Sequence, residues 1–381
     1  MLTTTTTLHD ENATLTPNGA PPEHPANQLL DRYERILQEK RLNWTTHNHL
    51  SRLLGRGGQG VVYLTERRGA DNFTIPVAVK IFSPDRYLDA RAYDEAMCRI
   101  AHVASLVAQI QHDNLLDVHN FVDRDRIRIM VMEWVDGYDL CQLLVPGMLE
   151  RIQSRVSNRR WEYINSVIVT AGPTQPRIKP GVAVAVVREC LAALAALHRE
   201  GIVHGDVKPS NIMLKRTGNA KIVDIGSAFE ISAPPPARTC TPAYAAPEVL
   251  EGADCTPRSD LASLGYVLIE LLSGRPLFAG LNSFRELLEA KRSLPKMLKD
   301  ILPAEVTVNE LLMNFCKGMI ATDPMRRFPS AEAADLRKEG AAGFHRQLVI
   351  GDLAAEYGTE IRLWLEELKD LDDQRESQKT G

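Results

Sequence analysis

The glycine-rich segment LGRGGQGVVYL places the strongest constraint on what this chain can fold into. Gly55, Gly57 and Gly60, followed by Val62, are spaced so that backbone N–H groups can approach phosphate oxygens without a Cβ in the way. A dinucleotide-binding segment with similar spacing runs from a strand into a helix, whereas here the β-prone residues VVYL follow. The segment therefore predicts a β-hairpin over a nucleotide, with an ordinary glycine turn as the alternative.

A lysine ends the next apolar strand. The segment IPVAVK contains Lys80 at its end, and covering a lysine side chain is costly unless its ammonium meets an anion. The phosphates of a nucleotide would supply that anion. The alternative is a solvated lysine at the end of a strand.

The segment HGDVKPSN, residues 204–211, carries the residue types that phosphoryl transfer requires. Asp206 can accept a proton from an attacking hydroxyl, and Lys208 can neutralise charge on the moving phosphoryl group. Asn211 can help to bind a divalent cation. Asp224, in the later segment KIVDIG, offers a second oxygen ligand of the kind that Mg²⁺ prefers.

These segments occur in the order GRGGQGVV, VAVK, HGDVKPSN, DIG and APE, which resembles the eukaryotic-type (Hanks-type) serine/threonine protein kinases. The resemblance covers about residues 47–340. It implies an α+β, two-lobed protein kinase fold, with a small β-rich N-lobe that has one main helix and a larger helical C-lobe. It also implies transfer of the γ-phosphate of ATP to serine and threonine hydroxyls of proteins. Mg²⁺ or Mn²⁺ is the implied metal, and Asp206 is the implied catalytic base.

The resemblance further implies which residues form the site. Met132 is the expected gatekeeper, and the backbones of Glu133 and Val135 are expected to meet adenine. Asp139 is expected to reach the ribose. The full set of expected nucleotide-binding residues is Gly55, Arg56, Gly57, Gly60, Val62, Ala78, Lys80, Met132, Glu133, Val135 and Asp139. The expected catalytic residues are Asp206, Lys208, Asn211, Lys80 and Glu95, and the expected metal ligands are Asn211 and Asp224.

The expected partner of Lys80 departs from the family pattern. The family orients this lysine with a glutamate on the main N-lobe helix, and Glu95 is the residue predicted for that role. Glu95 lies 17 positions before His112, about two helical turns more than the usual spacing. The alternative is a glutamate that faces solvent.

Architectural contacts are also expected from the resemblance. Thr241 in TPAYAAPE is expected near Asp206 and Lys208, an arrangement of serine/threonine-specific kinases. Glu248 and Arg327 are expected to form an ion pair. Asp260 is expected to hold the backbone of the catalytic loop.

Two further departures concern regulation. Gly205 stands where many kinases have an arginine that binds a phosphorylated activation loop, so the HGD (non-RD) variant lacks a receptor for that phosphate. We therefore expect activity that does not depend strongly on phosphorylation of Ser232 or Thr239 in that loop. Ile225 replaces the usual phenylalanine in DIG and is still apolar. The two variants favour a bacterial origin.

Composition limits the other possibilities. The chain has 381 residues, 44% of them hydrophobic, and a formal net charge of −4, which gives no indication of nucleic-acid binding. Its six scattered cysteines include no C-x-x-C pair, which argues against zinc and disulfides and favours the cytoplasm. We expect no membrane span, since the apolar stretches are short and interrupted by charges, and no secretory signal.

The expected organisation follows the same boundaries. A disordered tail is predicted over 1–27 because Thr, Pro, Asn and Gly dominate it, and an amphipathic helix and linker over 28–46. The kinase domain is predicted to divide into an N-lobe (47–135) and a C-lobe (136–340), and a helical extension with a polar tail is predicted over 341–381. An insert at about 145–180 is predicted to begin as a helix and continue as a hairpin. Arg151, Arg155 and Arg159 would form a stripe on it, interpreted as a solvated face or as a docking site for an acidic partner.

Two other functions remain open. A pseudokinase scaffold would bind ATP without turnover, although Lys80, Asp206, Asn211 and Asp224 are all present. A small-molecule phosphotransferase of related fold is less consistent with the long segment that ends in APEVL. The expected partners of a protein kinase are ATP and protein substrates, with no nucleic acid.

Overall fold

The computed structural model describes residues 6–7, 27–39, 41–43, 47–69, 71–236, 239–281, 283–350 and 357–379. Most of the tail predicted to be disordered lies outside these residues. The chain divides into two compact units. The first contains residues 1–111, 116–135 and 225–239, and the second contains 112–115, 136–224 and 240–381.

The first unit is built on one antiparallel sheet. Its strands are β3 (Arg52–Gly57), β4 (Gly60–Arg68), β5 (Thr74–Phe82), β6 (Val118–Arg124) and β7 (Ile127–Glu133), in the order β3-β4-β5-β7-β6. Two shorter strands, β1 (Arg41–Asn43) and β2 (His47–His49), pair ahead of it. Every residue of β5 from Val77 to Phe82 is buried, which identifies this strand as the centre of the unit's core.

Two helices of the described residues belong to the same unit. Helix α1 (Asn27–Glu39) buries Leu29 and Ile36, two of the residues whose helical spacing predicts an amphipathic helix here. Helix α2 (Ala90–Val107) is capped by Asp89, whose side chain accepts a hydrogen bond from the Ala92 N–H at 2.7 Å.

The second unit is mostly helical. Its helices are α3 (Leu140–Leu143), α4 (Met148–Gln153), α5 (Asn158–Val167), α6 (Pro180–Arg199), α7 (Pro247–Leu250), α8 (Pro257–Ser273), α9 (Phe284–Ile301), α10 (Ala304–Thr307), α11 (Glu310–Ile320), α12 (Ala331–Leu336), α13 (Ala341–Ile350) and α14 (Tyr357–Lys379). Strands β8 (Gly137–Asp139), β9 (Ile212–Lys215) and β10 (Ala220–Ile222) form a small antiparallel sheet. Short 3-10 helices lie at Pro209–Asn211 and Pro324–Arg326, and two-residue strands lie at Val169–Thr170, Arg177–Ile178 and Ile202–Val203. Two further two-residue strands, Thr6–Thr7 and Phe229–Glu230, belong to the first unit, and a third, Thr239–Cys240, lies at the boundary between the units in the sequence.

Helices α6 and α8 form the core of the second unit. Every residue of α8 from Ser259 to Ser273 is buried, and α8 ends at Gly274. Helix α6 is, within the described ranges, the one helix long and apolar enough to cross a membrane by length and composition, and 67% of its apolar window is buried. The core helix of a globular domain can have the same length and hydropathy. Length and composition therefore do not decide the question, and the expectation of no membrane span stays a prediction.

The insert between α3 and α6 differs from its prediction. The helix expected from Met148 onward is interrupted: α4 ends at Gln153, and α5 starts only after Ser157, whose side chain accepts a hydrogen bond from the Arg160 N–H. Ser154 donates back to the Arg151 carbonyl at the end of α4, a local bond that competes with helix continuation. The predicted stripe of three arginines is therefore not one helical face, and the hairpin is reduced to two two-residue strands.

The C-terminal extension packs into the second unit through α14. Trp364, Ile361 and Leu365 are buried there. Arg160 of the insert forms ion pairs with Glu367 at 2.7 Å and Glu360 at 3.3 Å. The extension and the insert therefore support each other, although they lie far apart in sequence.

Candidate active site

The glycine-rich segment forms the predicted hairpin. Strands β3 and β4 pair antiparallel, with Gly57 opposite Gly60 at the turn. Gly60 has a φ of 138°, and a Cβ at this position would lie 2.0 Å from the Ile81 carbonyl oxygen. No side chain fits there, so the close approach of β4 to β5 requires glycine.

Lys80 lies at the centre of the sheet and is only 4% exposed. It pairs in register with Val62 on one side and Met130 on the other. Its ammonium donates a hydrogen bond of 2.7 Å to Gln59 Oε1, and Gln59 Nε2 donates at 3.0 Å to Ser227. A residue of the glycine-rich loop thus holds the lysine, a contact that the motif pattern did not predict.

Glu95 is not brought to Lys80. Its carboxylate pairs with Arg91 at 2.8 Å, one turn away on α2, and its side chain is 53% exposed. The alternative interpretation, a glutamate that faces solvent, describes the structure better because the carboxylate pairs with a residue of its own helix and about half of the side chain is exposed. Helix α2 instead contacts the segment after DIG, where His102 pairs with Glu230 at 2.8 Å. A catalytic role for Glu95 stays a prediction that this arrangement does not support.

The residues expected around adenine lie on β5 and β7 and just after β7. Ala78 and Met132 are buried partners on adjacent strands. The Glu133 N–H donates to the Asp117 carbonyl, and the Glu133 carboxylate accepts from the Asp117 N–H at 2.7 Å, which fixes the end of β7. Among the described residues, the Val135 backbone makes no hydrogen bond to another protein group, so its N–H and C=O can serve a ligand.

In the second unit, two predicted residues, Lys208 and Thr241, meet at the carboxylate of Asp206. Lys208 Nζ donates to Asp206 Oδ2 at 2.7 Å and to Thr241 Oγ1 at 2.9 Å. The Thr241 hydroxyl donates to Asp206 Oδ1 at 2.7 Å, and its N–H donates to the same oxygen at 3.1 Å. All three side chains are buried. Both oxygens of the Asp206 carboxylate are therefore fixed, Oδ2 by the Lys208 ammonium and Oδ1 by Thr241.

Asn211 is oriented by the same loop. Its amide nitrogen donates to the Asp206 carbonyl at 2.8 Å, which directs the nitrogen toward the loop. The side-chain oxygen accepts a long hydrogen bond of 3.5 Å from the Ser210 hydroxyl and is the atom that could bind a metal ion. Together with the carboxylate of Asp224, it gives an all-oxygen donor set, which suits Mg²⁺ and is less selective for softer metals.

Asp139 forms the start of α3. Its side chain accepts from the Gln142 N–H at 2.9 Å, and the Gln142 side chain accepts from the Asp139 N–H. Burial raises the pKa of Asp139 above its ordinary value, partly offset by the N–H groups of Gln142 and Cys141. The helix cap thus fixes the carboxylate that the resemblance assigns to the ribose.

The backbone at Gly205 has a conformation that favours glycine. It has a φ of 74°, in the left-handed region where glycine is favoured. Asp260 of α8 accepts from the N–H groups of His204 and Gly205, each at 2.9 Å, and also bonds His198. The predicted anchoring role of Asp260 is confirmed, since this buried carboxylate holds the loop that carries Asp206.

The segment after Thr241 is fixed by two further carboxylates. Tyr244 donates to Glu270 at 2.7 Å, and burial raises the pKa of Glu270, partly offset by hydrogen bonds from Tyr244 and Gln175. The predicted ion pair between Glu248 and Arg327 is confirmed, with two hydrogen bonds of 2.7 Å. Tyr244 and Glu270 were missed from sequence, because no motif connects an aromatic residue to a glutamate near the end of a core helix.

Comparison with known proteins agrees with this arrangement. A family model described as a protein kinase domain matches residues 48–336. The serine/threonine-protein kinase PrkC of Bacillus subtilis is 29% identical over 285 residues, 74% of this chain and 38% of that protein. PknD of Mycobacterium tuberculosis is 32% identical over 286 residues, with the same two coverages of 74% and 38%. PkaA of Streptomyces coelicolor is 31% identical over 268 residues, 65% of this chain and 43% of that protein.

The chain spans less than half of the length of these relatives. The family match nevertheless covers most of the chain, and it includes the glycine-rich hairpin, Lys80 and the catalytic loop. The α+β architecture, with a β-rich first unit and a helical second unit, is the one that the resemblance implies. The chain therefore belongs to the protein kinase domain family.

Proposed function

We propose that the protein is an ATP-dependent protein serine/threonine kinase with Asp206 as catalytic base. The observation that carries the proposal is the group formed by Asp206, Lys208 and Thr241, three buried side chains within hydrogen-bond distance of one another. The names of the relatives support serine/threonine specificity. Protein substrates, a cytoplasmic location and a bacterial source remain predictions from the sequence.

Each residue has a separate task in this proposal. Asp206 accepts the proton of the attacking hydroxyl and orients it, and Lys208 balances the charge that develops beside it. Lys80 binds phosphate oxygens of ATP. These oxygens take the place of Gln59 Oε1 as acceptors of the hydrogen bond from the Lys80 ammonium. Asn211 and Asp224 would hold Mg²⁺ or Mn²⁺, which supplies neutralisation of phosphate charge when bound.

Replacing Lys80 tests the phosphate-binding assignment. Lys80→Met keeps a side chain of similar length but removes the ammonium, and we expect phosphate transfer to fall by about 10²-fold because a transition-state charge contact is lost. Transfer of radiolabelled phosphate from ATP to casein, followed by phosphoamino-acid analysis, measures the effect. The matched control is Lys296→Met on the exposed face of α9, which should transfer phosphate at the wild-type rate. Equal rates for Lys80→Met and wild type would contradict the proposal.

A pseudokinase scaffold is the second candidate, motivated by the placement of Glu95 away from Lys80. Thermal unfolding with and without Mg-ATP, followed by an autophosphorylation assay, separates the two. Stabilisation by Mg-ATP without incorporation of phosphate would favour the scaffold. Stabilisation together with phosphoserine or phosphothreonine supports the enzyme.

The glycine at position 205 leads to a prediction about regulation. Because Gly205 offers no cation to a phosphorylated activation loop, removing the loop hydroxyls with Ser232→Ala and Thr239→Ala should leave the rate within about twofold of wild type. The rate is measured on protein first treated with a phosphatase, with Asp206→Asn as the inactive reference. A double variant as inactive as Asp206→Asn would show that loop phosphorylation is required.

A further inference from the structure

Lys291 is a buried lysine that no kinase motif includes. It lies on α9, and its side chain is 0% exposed. Its ammonium donates a hydrogen bond of 2.6 Å to the carbonyl oxygen of Ala243. Within the part of the chain that the structure describes, no carboxylate pairs with it, which is unusual because a buried ammonium is costly without compensation.

Two aromatic rings compensate for the burial of this charge. Lys291 Nζ lies 4.1 Å from the centroid of the Tyr266 ring and 4.0 Å from that of Phe278. The two rings pack edge to face, with centroids 5.3 Å apart. An ammonium over such faces is attracted by the ring quadrupoles, most strongly where water is excluded. Burial lowers the pKa of Lys291 well below its ordinary value, and the amine remains a hydrogen-bond donor in either protonation state.

The carbonyl that Lys291 binds is in the middle of a functional segment. Ala243 lies between Thr241, which bonds Asp206 and Lys208, and Tyr244, which bonds Glu270. Ala243 and Tyr244 are partly exposed, whereas Thr241 is buried. The segment is therefore anchored on both sides of Ala243, and the lysine fixes the backbone where it remains accessible to another molecule.

Packing alone does not account for a lysine at this position. A methionine would fill nearly the same volume without the cost of burying an amine, so an apolar residue would serve the core as well. What the lysine adds is one donor that reaches from α9 to the Ala243 carbonyl. Removing it would leave that carbonyl without its donor, and the segment between Thr241 and Tyr244 would lose its central attachment.

We propose that Lys291 is a positioning residue for protein substrates, because it holds the Thr241–Tyr244 segment in the conformation that presents a hydroxyl-bearing peptide to Asp206. The proposal rests on the kinase function proposed above. It assigns to a residue on α9 an effect on recognition of the protein acceptor and none on recognition of ATP.

Steady-state kinetics of full-length protein test the proposal. With casein as acceptor, we expect Lys291→Met to raise the KM for casein about tenfold, the effect of losing one hydrogen bond. The KM for ATP should stay within about twofold of wild type, as should ATP hydrolysis without casein. Lys296→Met, an exposed position on the same helix, is the matched control and should change none of these values.

A purely structural role predicts a different result. In that case Lys291→Met would lower kcat and raise both KM values together with a lower unfolding temperature, and this outcome would overturn the proposal. An unchanged KM for casein would do the same. If Lys291→Met does not fold, Phe278→Leu takes its place, because it removes one of the two rings around Lys291 and keeps the amine. A rise in the KM for casein alone supports the proposal, and no rise overturns it.

A wild-type protein that transfers no phosphate to casein or to itself overturns the kinase function and this inference together, whereas an active wild type isolates the inference.

Discussion

Asp206→Asn is expected to lower phosphate transfer by about 10³-fold while the fold is retained. The amide keeps the size of the carboxylate and one acceptor oxygen, so it can still accept from Thr241 or Lys208. It cannot take a proton, and it leaves the Lys208 ammonium without its carboxylate at 2.7 Å. Transfer of radiolabelled phosphate to casein measures the loss, and thermal unfolding shows whether the fold is retained.

The control for this prediction is Asp300→Asn, an exposed aspartate near the end of α9. It makes the same chemical change outside the catalytic loop, and wild-type transfer is expected from it. Wild-type transfer by Asp206→Asn would exclude the assignment of Asp206 as catalytic base. Loss of the folded state would instead show that the carboxylate is needed to hold the loop, because it accepts hydrogen bonds from the N–H and the hydroxyl of Thr241. Thermal unfolding distinguishes this outcome from a loss of catalysis alone.

Arg327→Met is expected to lower the free energy of unfolding by about 3–5 kcal/mol, because it leaves a partly buried carboxylate without its cation. The Arg327 side chain is 0% exposed and makes two bonds of 2.7 Å to Glu248. It also donates to the carbonyls of Ala321, Arg258 and Thr322. Urea unfolding at neutral pH measures the change, and Arg326→Met at the neighbouring exposed position should cost little.

The destabilisation by Arg327→Met should depend on pH. Burial raises the pKa of Glu248, but the hydrogen bonds and charge of Arg327 outweigh it, so the folded-state pKa lies below the ordinary 4.5. A lowered folded-state pKa contributes stability that is complete above 4.5 and is lost as the pH falls through the lowered value. The difference between wild type and variant should therefore shrink below that pH. A difference that stays constant into the acid range would contradict the ion-pair explanation.

The local sequence was sufficient to predict the parts of the site that are formed by residues close together in the chain. The spacing of Gly55, Gly57 and Gly60 predicted the hairpin, since the turn requires glycine and the following residues favour a strand. The segment 204–211 predicted the cluster around Asp206, because a short loop keeps its own residues together. Resemblance extended this to the Glu248–Arg327 pair and to Asp260, whose partners lie in distant segments.

Two predicted arrangements differ from the structure because the rotation of a helix, or a break in it, decides which side chains share a face. Glu95 is on α2, as predicted, but the helix turns it to Arg91 and solvent, and the spacing to His112 could not indicate which face meets the sheet. The stripe of Arg151, Arg155 and Arg159 assumed one continuous helix. The structure divides it at Ser154–Ser157, where serine side chains compete for the backbone hydrogen bonds.

The sequence by itself determined the family, the hairpin and the residues of the catalytic loop, because each depends on residue types at short, fixed spacings. Only the tertiary structure decided that Gln59 holds Lys80 and that Lys291 holds Ala243 inside an aromatic cage. These partners are 21 and 48 residues apart in the chain. Burial is what makes such contacts strong, since a buried amine must find a partner, and which residues become buried together is a property of the packed core.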